Sequence, residues 1–177
     1  MSLAAKYGII SDIHANYAAI KVALDYLATA GVDKILCLGD LIGYGAEPLE
    51  CIQAVSDNSN IYTIAGNHDR QIVGDKDAHM RKTASKVLEW TADNLSPSNA
   101  RFLKTLPVSM TIDDMFVMIH SSLVERDAYI FSPQEISKNL KCMIQDFPNQ
   151  RICFFGHTHI PKLINAKTVI NDLRETR

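Results

Sequence analysis

Five short apolar runs in this chain each stop at a cluster of aspartate, asparagine or histidine, and that repeated ending constrains the fold most. The runs are residues 7–10, 35–38, 61–65, 115–119 and 152–155. Runs this short and this apolar suit buried strands. The clusters behind them are Asp12-x-His14, Gly39-Asp40, Gly66-Asn67-His68-Asp69, His120 and Gly156-His157-x-His159. Amphipathic stretches separate the first runs. Ile20, Ala23, Leu24 and Leu27 fall at i, i+3, i+4 and i+7 behind an Asn16 N-cap and before Gly31, and Pro48 opens a helix carrying Leu49, Ile52 and Val55. The alternation predicts an α/β chain built from β-α-β units around a buried sheet. If the strands pack together, all five clusters lie at one carboxyl edge, where such sheets bind ligands.

The middle of the chain reads as more helical. Ala84, Val87, Leu88, Thr91 and Leu95 share one face, and Ser96-Pro97 starts a second helix carrying Phe102 and Leu103. Runs 108–112 and 115–119 flank Asp113-Asp114, which predicts a hairpin turn with solvated charges. Ser132-Pro133-Gln134-Glu135 is a capping box for a helix expected to bury Ile136, Leu140, Met143 and Ile144. Near the end, 162–165 and 168–171 flank a turn at Ala166-Lys167. At 177 residues the expectation is one domain over 1–177, with 74–107 a helical cap-like insert.

Charge narrows the partners. Eighteen Lys plus Arg against 20 Asp plus Glu leave −2, without the basic excess of a nucleic-acid or anionic-membrane binder, so no stable nucleic-acid complex is expected. No apolar run approaches the roughly 20 residues that span a bilayer, and no secretory leader is evident, so the expected location is cytoplasmic. Cys37, Cys51, Cys142 and Cys153 lack C-x-x-C spacing and read as reduced packing residues.

Five of the 6 histidines fall in the strand-end clusters, with only His79 elsewhere. Carboxylate, imidazole and amide oxygen without thiolate suit Mn²⁺, Fe²⁺, Co²⁺ or Zn²⁺ in a catalytic site. Seven candidate ligands exceed what one ion needs. A two-metal centre, with ions about 3.5–4 Å apart and Asp40 as the natural bridge, fits the count. Arg70, Tyr44 and Asn16 lie close enough to the clusters to be candidate substrate contacts, but each is also a typical surface residue, and that plainer reading outweighs the functional one.

The order D-x-H, G-D, G-N-H-D, a strand-terminal His and G-H-x-H resembles the calcineurin-like metallophosphoesterases, from Asp12 to His159. Gly39-Asp40-Leu41-Ile42-Gly43-Tyr44-Gly45, the stretch from Glu89-Trp90 to Leu106-Pro107, and Ile119-His120-Ser121 are similar to its bacterial and archaeal phosphodiesterase, or diadenosine-tetraphosphatase-like, branch. The resemblance implies a four-layer α/β/β/α sandwich. It also implies two divalent metal ions, manganese foremost, with iron, zinc, cobalt or nickel compatible. Asp12, His14, Asp40 and His159 would hold the first, and Asp40, Asn67, His120 and His157 the second. His68 would contact the scissile phosphate and protonate or stabilise the leaving oxygen, with Asp69 orienting it. The competing reading makes His68 an outer hydrogen-bond donor.

The function implied is dimetal-dependent hydrolysis of a phosphoester, favouring a small phosphodiester or nucleotide substrate. The alternative is a non-catalytic metal-binding scaffold for protein–protein interaction, which would be free to lose ligands that are all present here. Relatives usually continue past G-H-x-H with further strands. The second sheet is therefore expected to be shortened at its carboxyl end, with an exposed apolar edge that pairs two copies as a homodimer. Where relatives carry His-Gly-Ser, this chain has His120-Ser121-Ser122.

Overall fold

In the computed structural model, which describes residues 5–75, 82–165 and 169–170, the chain opens with β1 (Tyr7–Ile10), α1 (Tyr17–Thr29), β2 (Lys34–Cys37), α2 (Pro48–Ser56) and β3 (Ile61–Thr63). The three strands are parallel in the order β1-β2-β3, with Gly8 opposite Ile35 and Ile35 opposite Ile61. Asn16 caps α1 by accepting the Ala19 N–H at 3.0 Å, and Pro48 occupies the first turn of α2.

The chain then runs through α3 (Asn67–Ile72), α4 (Lys82–Asn94) and α5 (Pro97–Thr105) to β4 (Ser109–Ile112) and β5 (Phe116–Ile119). It continues through α6 (Pro133–Asp146), β6 (Ile152–Phe154), β7 (Leu163–Ile164) and β8 (Val169–Ile170). β4 and β5 form the expected hairpin, whereas β5 and β6 are parallel and need the crossover that α6 supplies. Ser132 and Glu135 form the capping box of α6. β7 and β8 pair as a separate two-stranded ribbon.

Side-chain alternation sets the layers. Cys37 faces a core with Ile20 of α1, Ile52 of α2, Leu88 of α4 and Leu103 of α5. Leu36 and Leu38 face the other way, against Ile64, Ile112, Phe116 and Met118, so the two sheets meet face to face. Val117 and Ile119 are also buried, which leaves both faces of β5 covered, and α6 turns Ile136 and Met143 inward. Each fully buried Leu or Ile here contributes about 1.5–3 kcal/mol. The result is the α/β/β/α sandwich.

Several expectations change. The five strands divide between two sheets, β1-β2-β3 and β4-β5-β6, as the sandwich implied by the resemblance requires, so the single edge expected from the strand ends is built from both. Ile144 is 71% exposed, because at about 100° per residue it lies roughly 80° round the helix from Ile136, off the buried stripe. Segment 74–107, expected as a cap-like insert, contributes Leu88 and Leu103 to the core beside the first sheet. His79 and the turn at Ala166-Lys167 lie outside the described residues. All four cysteines are free, Cys37 and Cys51 being buried. Among the described residues no helix is long and apolar enough to cross a membrane.

Asp113 is more than a solvated turn charge. It accepts Tyr7 Oη–H and Lys34 Nζ–H, each at 2.5 Å, tying the first sheet to the hairpin of the second. Hydrogen bonds from Lys34 and then Tyr7 hold its pKa below the ordinary value. A carboxyl depressed in the folded state stabilises above its unfolded pKa of about 3.9 and loses that contribution as pH falls through the folded value. Asp113→Asn is expected to lower the urea midpoint at pH 7, with the gap to wild type closing below the carboxylate range.

Candidate metal centre

The carboxyl ends of both sheets converge on one place. Past the strands, the backbones keep pairing as loops: Asp12 N–H donates to Gly39 O, His14 N–H to Asp40 O, and Gly156 N–H to His120 O, at 3.1, 2.9 and 2.9 Å. Residues up to 145 apart in sequence are thereby brought together, as when His157 N–H donates to both Asp12 carboxylate oxygens at 3.0 and 3.1 Å.

Local backbone geometry aims the donors. Asp12, His14, Asp40, His157 and His159 all adopt left-handed φ, between 50° and 65°, a conformation that costs on the order of 1–3 kcal/mol for a non-glycine residue. Asp and Asn tolerate it best, and histidine is also enriched there. Gly66 lies against Asp40 so closely that a Cβ would meet Oδ1 at 2.0 Å, and a Cβ on Gly43, at φ +95°, would meet His68 Nδ1 at 2.0 Å. These two glycines therefore let the Asp40 loop and α3 close on each other.

Three histidines each spend one ring nitrogen on a main-chain carbonyl. His14 Nδ1 reaches Ile42 O at 3.3 Å, His120 Nδ1 reaches Leu38 O at 2.7 Å, and His157 Nε2 reaches Asp127 O at 3.0 Å. A carbonyl only accepts, so that nitrogen carries the proton and the other lone pair of the neutral ring faces inward. The inward atoms crowd. His120 Nε2 is 3.2 Å from both Asp40 Oδ2 and Asn67 Oδ1. His159 Nε2 lies 3.0 Å from His14 Nε2 and 3.3 Å from Asp12 Oδ1. Three groups hold donor atoms within 4.8 Å of one another: Asp12, His14 and His159; Asp40, His120 and His157; and His14, Asp40 and His68. Converging lone pairs and carboxylates repel unless a cation lies among them, so this donor set fits divalent metal.

The electrostatics show how strongly Asp40 draws positive charge to the centre, a proton on His120 included. Burial opposes the Asp40 charge, yet His120, His68 and His14 hold its pKa well below the carboxylate range. Burial likewise opposes charge on His120, but Asp40 outweighs it and raises the imidazole to about 9. Burial lowers His68 to about 4, and also lowers His14 and His157. Burial and the Asp40 charge raise Asp69 to about 6.

Not every expected residue does what was expected of it. Asp69 accepts the N–H groups of Leu41 at 3.0 and 3.2 Å, Ile42 at 3.3 Å and Gly66 at 3.0 Å, and makes no hydrogen bond to the His68 ring. Its carboxylate lashes the Asp40 loop to the start of α3 instead of orienting His68. Buried His68 Nδ1 has no partner. Arg70 is buried, with Nη1 2.6 Å from Asp75 and Nη2 2.5 Å from Asp127, so its guanidinium is already committed. Asn16, Tyr44 and Glu47 line a cleft of about 480 Å³ that opens onto Asp12 and His14. The Tyr44 ring stands 4.7 Å from both His14 and His68. The sequence reading missed Asp127, whose carbonyl holds the His157 ring and which sits in a loop without a motif.

The sequence profile of the calcineurin-like phosphoesterase superfamily domain matches residues 6–171, and the chain belongs to that superfamily. It is 31% identical over 161 residues to an uncharacterized protein of Methanocaldococcus jannaschii, covering 86% of this chain and 62% of that protein. A metallophosphoesterase from Sphaerobacter thermophilus superposes with TM-score 0.74 at 31% identity, over 93% of this chain and 65% of that one. The chain thus spans less than two thirds of either relative. A hypothetical protein from Pyrococcus horikoshii shares the fold, with TM-score 0.74 at 16% identity over 94% of this chain and 75% of that one.

Proposed function

We propose that this chain hydrolyses phosphoesters with two divalent cations, manganese foremost, and that its substrate is a small phosphodiester or nucleotide. The observation that carries the reading is the convergence of imidazole lone pairs on Asp12 and Asp40. Asp12, His14, Asp40 and His159 would hold one ion, and Asp40, Asn67, His120 and His157 the other. Such ions, when bound, activate water for attack at neutral pH and neutralise charge on phosphoryl oxygens.

The chain's own residues supply the rest. The carbonyls of Ile42, Leu38 and Asp127 fix the ring tautomers, so the donors need no reorganisation during turnover. His68, buried with Nε2 4.0 Å from Asp40 Oδ2, donates an N–H to the leaving oxygen. Asn16 and Tyr44 receive the non-reacting part of the substrate in the cleft. Neither lysine nor arginine lines that cleft among the described residues, and Glu47 adds an acidic group. A singly charged diester suits such a wall better than a dianionic monoester. The free cysteines support a reducing, cytoplasmic setting. Ile152, 46% exposed on the edge strand β6, supports the homodimer.

The test is hydrolysis of a chromogenic phosphodiester and the matching monoester by metal-stripped protein, before and after adding Mn²⁺. Turnover is expected only after the metal, with the diester preferred. Absence of turnover with two ions bound would favour the scaffold reading.

A further inference from the structure

We infer that Asp127, held by Arg70 and flanked by Tyr129, is a positioning residue that sets the ring orientation of His157 and braces the Asp40–His120–His157 half of the centre. The inference rests on the proposed reading that His157 ligates metal.

Asp127 uses three separate groups, each reaching a different donor element. Its carbonyl accepts His157 Nε2–H at 3.0 Å, which leaves the Nδ1 lone pair of the neutral ring for the centre. Its N–H donates at 3.0 Å to Oγ of Ser121, the residue directly after His120. Its carboxylate pairs with Arg70 of α3, the helix that opens with Asn67 and His68. The loop backbone is bent to allow this, with Asp127 at φ 67°. The Asp127 side chain is 4% exposed and that of Arg70 8%, so the pair is shielded from solvent.

Tyr129 supports the other dimension of the ring. It stacks on His157 at 4.4 Å and 16° and on Phe131 at 5.0 Å and 15°, and Lys162 Nζ caps the Phe131 ring at 4.8 Å. A hydrogen bond fixes rotation within the imidazole plane, while a stacked ring fixes the plane itself. Outer partners of this kind are worth about 10–100-fold in metal affinity. Arg70 cannot be replaced by lysine in this role, because its two terminal nitrogens serve Asp75 and Asp127 separately.

Calorimetric titration of the metal-stripped chain with Mn²⁺ tests the brace. Arg70→Ala would strand the buried Asp127 carboxylate and is liable to unfold, so the variants are Asp127→Asn, Tyr129→Ala, Tyr129→Phe and His157→Ala. Asparagine tolerates the left-handed backbone of position 127. His157→Ala is expected to remove one of two binding steps and so identify it. Asp127→Asn and Tyr129→Ala should weaken that same step about tenfold or more and leave the other unchanged, and Tyr129→Phe should restore wild-type affinity. Loss of the step in His157→Ala with wild-type affinity in Asp127→Asn and Tyr129→Ala overturns the brace alone. Two intact steps in His157→Ala overturn the ligand reading beneath it. Equal weakening of both steps would mark general destabilisation and also overturn the brace.

Discussion

Asp40→Asn is expected to remove turnover almost completely and to cost more metal affinity than any other single change to the centre. Asp40 belongs to two of the three donor groups, and its Oδ2 lies 3.2, 3.7 and 4.0 Å from nitrogens of His120, His14 and His68. An outer partner costs about 10–100-fold, so a shared carboxylate should exceed that range at both ions. Asparagine keeps an oxygen to accept His68 N–H, which Asp40 Oδ1 does at 3.0 Å, and it tolerates φ 53°. Circular dichroism should therefore show a folded chain, while elemental analysis after dialysis shows metal loss. Retention of two ions and of turnover would remove Asp40 from its bridging role.

His68→Ala is expected to lower kcat by about 10²–10⁴-fold with both ions retained, as for loss of a group that acts on the leaving oxygen. The geometry makes this a sharp test. His68 Nε2 lies close enough to His14 and Asp40 to be a ligand itself, and its ring is 4.8 Å from that of His14. Metal content measured beside kcat separates the roles. A missing ion assigns His68 to coordination, and unchanged kcat assigns it to packing.

The gathering of Asp12, His14, Asp40, Asn67, His120, His157 and His159 was legible because each follows an apolar run, and strand direction alone carries it to a sheet edge. The division of the strands between two sheets came from the family resemblance and not from the strand pattern. Runs of three or four residues buried on both faces carry no alternation from which to read pairing. Asp69 is identified by the sequence as part of a motif, but its actual partners are N–H groups of Leu41, Ile42 and Gly66, and main-chain donors leave no trace in residue identity. Asp127 is hidden for the same reason, since its contact with His157 is made by a carbonyl that any residue possesses. Tyr7 and Lys34 meet Asp113 across sequence separations of 106 and 79, which local pattern does not report.

The tie between Asp12 and His157, 145 residues apart, bears on when the centre comes into being. Closing so long a loop is entropically costly and comes late in folding, after local helices and hairpins have formed. Donors from the first and last strands of the sandwich meet only when the second sheet has docked on the first. Metal capture at Asp12, His14 and His159, as proposed, would thus work as a checkpoint on assembly, rewarding the finished tertiary structure and no earlier species. At 100 times its dissociation constant, an ion bound solely to that state deepens the native basin by about 2.7 kcal/mol.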